Sequence, residues 1–167
     1  MPITYDNIAT TTLGTAAANI TFSSIPATYT DLRIVLVANN NTADWGFFRI
    51  NGDTGTNYSF TQLSGDGASA ASSRTSTISY GAWENVNGII NTANTFQMSI
   101  FDFFSYAGST NKTVLVETAR DRNGSGNVAR YVNLWRNTAA ITSVLLYPNS
   151  GNFIAGTTAT LYGIKNA

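Results

Sequence analysis

Leu32-Arg33-Ile34-Val35-Leu36-Val37 is the stretch that decides the fold. Its apolar side chains run on almost without interruption, as they do in a strand covered on both faces or held at the centre of a sandwich. A few residues earlier, Asn19-Ile20-Thr21-Phe22-Ser23 alternates instead, with Ile20 and Phe22 on one face and Asn19, Thr21 and Ser23 on the other. That pattern is a strand with one buried face. Strong helix formers are scarce: two Glu, two Lys and two Gln in 167 residues, while Thr, Val, Ile, Phe, Tyr and Trp fill the apolar stretches. The chain is expected to be all-β.

Eight further strands are predicted at residues 47–51, 58–63, 76–80, 95–104, 112–120, 128–135, 141–147 and 158–164. Turn-forming segments separate them, among them Asn51-Gly52-Asp53, Ser64-Gly65-Asp66-Gly67, Ala107-Gly108-Ser109, Arg122-Asn123-Gly124-Ser125-Gly126 and Pro148-Asn149-Ser150-Gly151. About ten evenly spaced strands, with no helical segment between them, predict a single antiparallel two-sheet β-sandwich over residues 1–167. A jelly-roll-like arrangement is preferred to an immunoglobulin-like one. Residues 65–75, rich in Gly, Ala and Ser, read as a long loop at one end.

Composition excludes several kinds of chemistry. With no Cys there is neither a disulfide framework nor a thiolate nucleophile, and with no His the imidazole of zinc sites and serine-hydrolase triads is missing. Nine basic residues balance nine acidic ones, so there is no clustered positive surface for nucleic acid. No apolar run approaches the roughly 18 residues of a membrane-spanning helix, and the N-terminus does not read as a secretory signal, so synthesis in the cytoplasm is expected. Charged residues are only 11% of the chain, and the polar share falls to Thr, Asn, Ser and Gly. A hydroxyl- and amide-rich surface gives little repulsion between copies, which suits lasting contact with neighbours.

Carboxylate pairs are the acid–base chemistry that remains, and Glu84, Asp102 and Glu117 are the candidates. Nothing in their spacing selects a pair, so each is expected to be a strand residue facing solvent, and no enzymatic activity is expected. The loops Asn51-Gly52-Asp53-Thr54-Gly55 and Gly65-Asp66-Gly67 offer oxygen ligands, but only one carboxylate each. They read as hairpin turns, with no metal and no cofactor expected. Trp45 and Trp83, near strand ends, and the neighbouring Tyr80 are candidates for stacking on a sugar ring, whereas Trp135 reads as core. Arg120-Asp121-Arg122 is the densest charge cluster, placed either at a subunit boundary or on a hairpin tip.

Two stretches carry a resemblance. Ile8-Ala9-Thr10-Thr11-Thr12-Leu13-Gly14 runs on through Ile20 to Leu32, and Thr138-Ala139-Ala140-Ile141-Thr142-Ser143 runs on through Phe153 to Leu161-Tyr162-Gly163-Ile164. Together with Arg49-Ile50-Asn51-Gly52-Asp53-Thr54-Gly55-Thr56-Asn57-Tyr58-Ser59, they resemble β-rich virion proteins of tailed bacteriophages, notably aquatic ones. Residues 65–94 match least. The resemblance implies a virion structural protein, and the short chain looks more like a capsid decoration or cement subunit than a fibre. On that reading it sits on the capsid surface as a homotrimer, bound to the major capsid protein. Residues 1–7 would then form a contact arm, with Met1, Pro2, Ile3, Thr4 and Tyr5 as the contacting residues. The competing expectation is a tail-fibre or head-fibre module that binds host-surface glycans through Trp45, Tyr80 and Trp83.

Overall fold

The computed structural model describes residues 5–86, 88–93, 95–121 and 124–165. Twelve strands form among them: β1 (Tyr5–Thr12), β2 (Ile20–Phe22), β3 (Asp31–Ala38), β4 (Gly46–Ile50), β5 (Tyr58–Gly65), β6 (Ala70–Ile78), β7 (Gly81–Glu84), β8 (Gln97–Phe104), β9 (Lys112–Asp121), β10 (Gly126–Trp135), β11 (Val144–Pro148) and β12 (Thr158–Ile164). They make an eight-stranded sheet in the order β1-β12-β3-β8-β9-β10-β5-β6 and a four-stranded sheet in the order β2-β11-β4-β7. Every ladder is antiparallel. The chain crosses repeatedly from one sheet to the other, which makes the expected two-layer sandwich jelly-roll-like.

The core lies between the sheets. Leu32, Ile34 and Leu36 of β3, Phe101 and Phe103 of β8, and Val114 and Val116 of β9 face Ile20, Phe22, Phe48, Ile50, Val144 and Leu146 of the smaller sheet. Each such side chain contributes about 1.5–3 kcal/mol by leaving water. Rings interlock edge to face: Phe48 meets Phe101 at 5.9 Å, and Trp83 meets Phe101 at 6.2 Å. Two glycines make room for this. A Cβ on Gly81 would lie 2.1 Å from the Phe48 ring, and one on Gly46 would lie 2.3 Å from the Trp83 indole.

At the β7 end the sheets are joined by polar groups. Asn133 of β10 pairs with the backbone of Ala82, accepting its N–H at 2.8 Å and donating to its carbonyl at 3.0 Å. The Tyr131 hydroxyl accepts the Asn85 N–H at 2.9 Å, and Gln97 accepts the Ile90 N–H at 2.7 Å. Buried side chains thus replace strand pairing where the smaller sheet runs out.

Three sequence expectations need correction. Residues 65–75 are not a long loop: β5 and β6 form a hairpin closed by Asp66, whose carboxylate accepts the N–H groups of Ala68 (2.9 Å) and Ser69 (2.7 Å). Residues 76–80 are not one strand. β6 ends in a bulge where Thr77 takes φ +61°, and the chain then swings into the other sheet as β7. A β-branched residue in that region is strained by about 1–3 kcal/mol, and the strand pairing on either side of the bulge fixes it there. Finally, of the two placements open to β3, cover on both faces falls and a place inside the sandwich holds. Its inner residues are fully buried, but Arg33 and Val35 are partly exposed and Val37 is exposed, because no third layer lies over the eight-stranded sheet.

Candidate functional site

That uncovered face follows from the ladder register. Val37, Met98, Ala119 and Val128 form one row across β3, β8, β9 and β10. The next row holds Val35, Ile100, Glu117, Arg130 and Leu63, and the third Arg33, Asp102, Leu115 and Val132. Val128 is 61% exposed, Leu63 58% and Val132 51%. All of the first two rows except Val35 and Val37 of β3 line a groove of about 500 Å³. Two ion pairs lie on this face: Arg33 grips Asp102 through two bonds of 2.6 and 2.9 Å, and Arg130 pairs with Glu117 across β9 and β10, while Arg74 continues the third row at the β6 margin.

The carboxylates proposed for acid–base work are therefore dispersed. Asp102 and Glu117 stand on the outer face, each tied to an arginine. Glu84 does not face solvent as expected. It is fully buried on the inner side, where it accepts the Val86 N–H at 3.2 Å and approaches Gln97 Nε2 at 3.5 Å.

A second surface lies on the outside of the four-stranded sheet. Phe47 is its centre, with Tyr80 stacked on it at 3.9 Å, Trp45 edge-on at 6.3 Å and Tyr147 edge-on at 6.0 Å. The Arg49 guanidinium covers the Tyr147 ring at 5.1 Å and donates to the Ser79 carbonyl at 3.2 Å. Asp44 adjoins, accepting the Trp45 N–H at 2.7 Å and the Asn149 amide at 3.1 Å. Burial raises its pKa, but hydrogen bonds from Ser150, Trp45 and Asn149 outweigh that and leave the carboxyl below its ordinary range.

Two of the three expected stacking residues, Trp45 and Tyr80, thus come together, Trp45 with 45% of its surface open. Trp83 does not join them. Its indole lies over Gly46 in the core, fully buried, with Nε1 donating to the Phe47 carbonyl at 3.0 Å, so no sugar ring can reach it. The sequence reading missed Phe47, Arg49 and Tyr147. The signal was the alternation of Phe47 and Arg49 along β4, which puts them on the face opposite Phe48.

Met1, Pro2, Ile3 and Thr4 lie outside the described residues. Tyr5 opens β1, nearly half exposed, edge-on to Tyr162 at 6.4 Å and beneath the Arg33 guanidinium at 5.7 Å. Residues 5–7 of the expected arm are thus paired sheet rather than free chain. Arg120, expected at a hairpin tip or subunit boundary, is buried and donates to the Gly88 carbonyl, while Arg122 lies outside the described residues.

The two loops weighed for calcium are turns held by their own carboxylates. Asp53 accepts Gly55 N–H at 2.7 Å, Asn57 Nδ2 at 2.8 Å and Trp135 Nε1 at 2.7 Å. Burial pushes its pKa up, but these three donors overcome that and hold it below the usual carboxylate value. Among the described residues no group of three metal-ligating side chains occurs.

No protein-family model matches the chain, and no curated protein matches it in sequence. Among solved structures it is similar to the galectin LEC-6 of Caenorhabditis elegans, at 10% identity over 94% of this chain and 96% of that one, with a TM-score of 0.37.

Proposed function

We propose that the chain is a virion structural protein, a capsid decoration subunit that works by binding rather than by turnover. It docks on the major capsid lattice through the outer face of its eight-stranded sheet. One observation carries the reading. β3 has the near-continuous apolar sequence of a strand buried on both sides, and β8 and β10 carry apolar side chains at outward positions as well, yet the fold covers only the inner side of these strands. Val37, Met98, Phe104, Val128 and Val132, joined by Leu63, are left facing outward. Exposed apolar side chains gathered on one face in this way mark an interaction surface.

The partner's chemistry follows from the charges. Both ion pairs on this face are internal and Arg74 stands only at its β6 margin, so the centre of the surface suits an apolar, hydroxyl-rich counterpart. Repetition over a capsid lattice then multiplies a modest single contact. The resemblance of the chain's two ends to phage virion proteins supplies the identity of that lattice.

The test is loading of purified protein onto particles that lack it. Wild type should reach a fixed ratio to the major capsid protein, whereas Val128→Asp with Leu63→Asp should lose occupancy with little change in melting temperature. Undiminished loading of the double variant refutes docking through this face. A second reading, host-glycan recognition, is favoured by the Trp45–Tyr80–Tyr147 patch built over the buried Phe47 ring. Glycan-array binding that Trp45→Ala abolishes would establish it, and a silent array would remove it.

A further inference from the structure

The eight-stranded sheet ends on β6, a strand that buries almost nothing. Seven of its nine residues are exposed and the other two are half-buried, and among the described residues its only strand partner is β5. Its sequence, Ala70-Ala71-Ser72-Ser73-Arg74-Thr75-Ser76-Thr77-Ile78, holds one charge, no proline and no lysine. Edge strands are normally protected by such residues, by bulges or by a covering segment, because their free N–H and C=O groups accept another strand. Here the ladder is regular from Ala70 to Ser76, and the bulge comes only after it. The opposite edge, β1, is interrupted in mid-strand between Asn7 and Ala9 and flanked by the Asp6–Lys165 ion pair.

We propose that β6 pairs antiparallel with β6 of a second copy of this chain, joining two eight-stranded sheets about a two-fold axis. Side-chain chemistry selects that occupant. A foreign strand with large apolar residues would find nothing on β6 to bury them against. An identical strand sets small Ser, Thr and Ala side chains opposite one another, where hydroxyl pairs stabilise cross-strand contacts. The balanced charge of the chain adds no repulsion between copies.

Symmetry also fixes the register. A two-fold axis normal to the sheet sets one residue opposite itself, and using all seven regular positions makes that residue Ser73. Arg74 then faces Ser72 of the second copy, instead of the other arginine. A ring of three copies joined sheet edge to sheet edge would instead need β6 of one copy to meet β1 of the next, where the bulge lies.

Sedimentation of the full chain across a wide concentration range tests this. Wild type should reach the two-chain mass. Ser73→Lys and Ser73→Glu, both at an exposed position, should each remain at the one-chain mass, and their equimolar mixture should recover the two-chain mass. Ser72→Asp, facing Arg74 of the second copy, should lower the dissociation constant several-fold and Ser72→Lys should raise it. Circular dichroism verifies that each variant keeps its sheet. A one-chain or three-chain mass for wild type, or a folded Ser73→Lys that keeps the two-chain mass, overturns the proposal.

Discussion

Asp53 closes the turn between β4 and β5 and at the same time anchors Trp135, so its removal tests how this loop is held. In Asp53→Ala the Trp135 indole N–H, in a side chain only 1% exposed, loses its acceptor at 2.7 Å. A buried donor left unpaired costs about 1–3 kcal/mol. The bonds from Gly55 N–H and the Asn57 amide are more exposed and together contribute about 1 kcal/mol. The sum is about 2–4 kcal/mol, and at about 2–4 °C per kcal/mol for a chain of this length the melting temperature should fall by roughly 4–16 °C. Asp53→Asn keeps one acceptor oxygen and should lose about half as much.

The pH dependence has a definite sign. The native carboxyl titrates below its unfolded value of about 3.9, so its contribution is complete above that pH and disappears as the pH falls through the lower native value. Urea unfolding followed by tryptophan fluorescence measures all of this, provided the slope of the transition is unchanged. A loss below about 0.5 kcal/mol for Asp53→Ala, the range of an ordinary surface substitution, would refute the assignment, as would full stability regained on adding calcium to the variant.

Other expectations follow from the packing. Gly81→Ala and Gly46→Ala drive a methyl into the Phe48 and Trp83 rings, so each should cost about 1–3 kcal/mol in denaturant titrations. Trp83→Ala should cost about 3–5 kcal/mol, while Trp45→Ala should stay within about 0.5 kcal/mol, a contrast that separates the core indole from the surface one. Burial raises the pKa of Tyr58 and Tyr131 far above the ordinary phenol value. Their contribution is complete below about pH 10 and declines above it, so absorbance titration should show two tyrosines ionising only as the sheet unfolds.

Much of the architecture was legible from local pattern. Alternation at Ile20 and Phe22, the apolar run from Leu32 to Val37 and the Gly/Asn/Asp punctuation are short-range properties, which is why the all-β class and most strands could be read directly. β6 escaped because its Ala and Ser residues carry no hydrophobic period; only hydrogen bonds to β5 make it a strand. β1 escaped for a similar reason, since its pairing with β12 joins the two ends of the chain.

The sites divide along the same line. Trp45 and Tyr80 were visible as residue types, but what brings them together is Phe47, reached when β4 and β7 pair in the smaller sheet. Trp83 has the same local credentials and is buried, because the glycine that admits its ring, Gly46, lies 37 positions earlier in the chain. Amino-acid order alone determined the all-β class and most of the strands, β3 among them as a deep one, because these rest on short-range pattern. Only the tertiary structure decided that the two sheets share one core between them, which leaves the outer face of the larger sheet and the free side of β6 exposed.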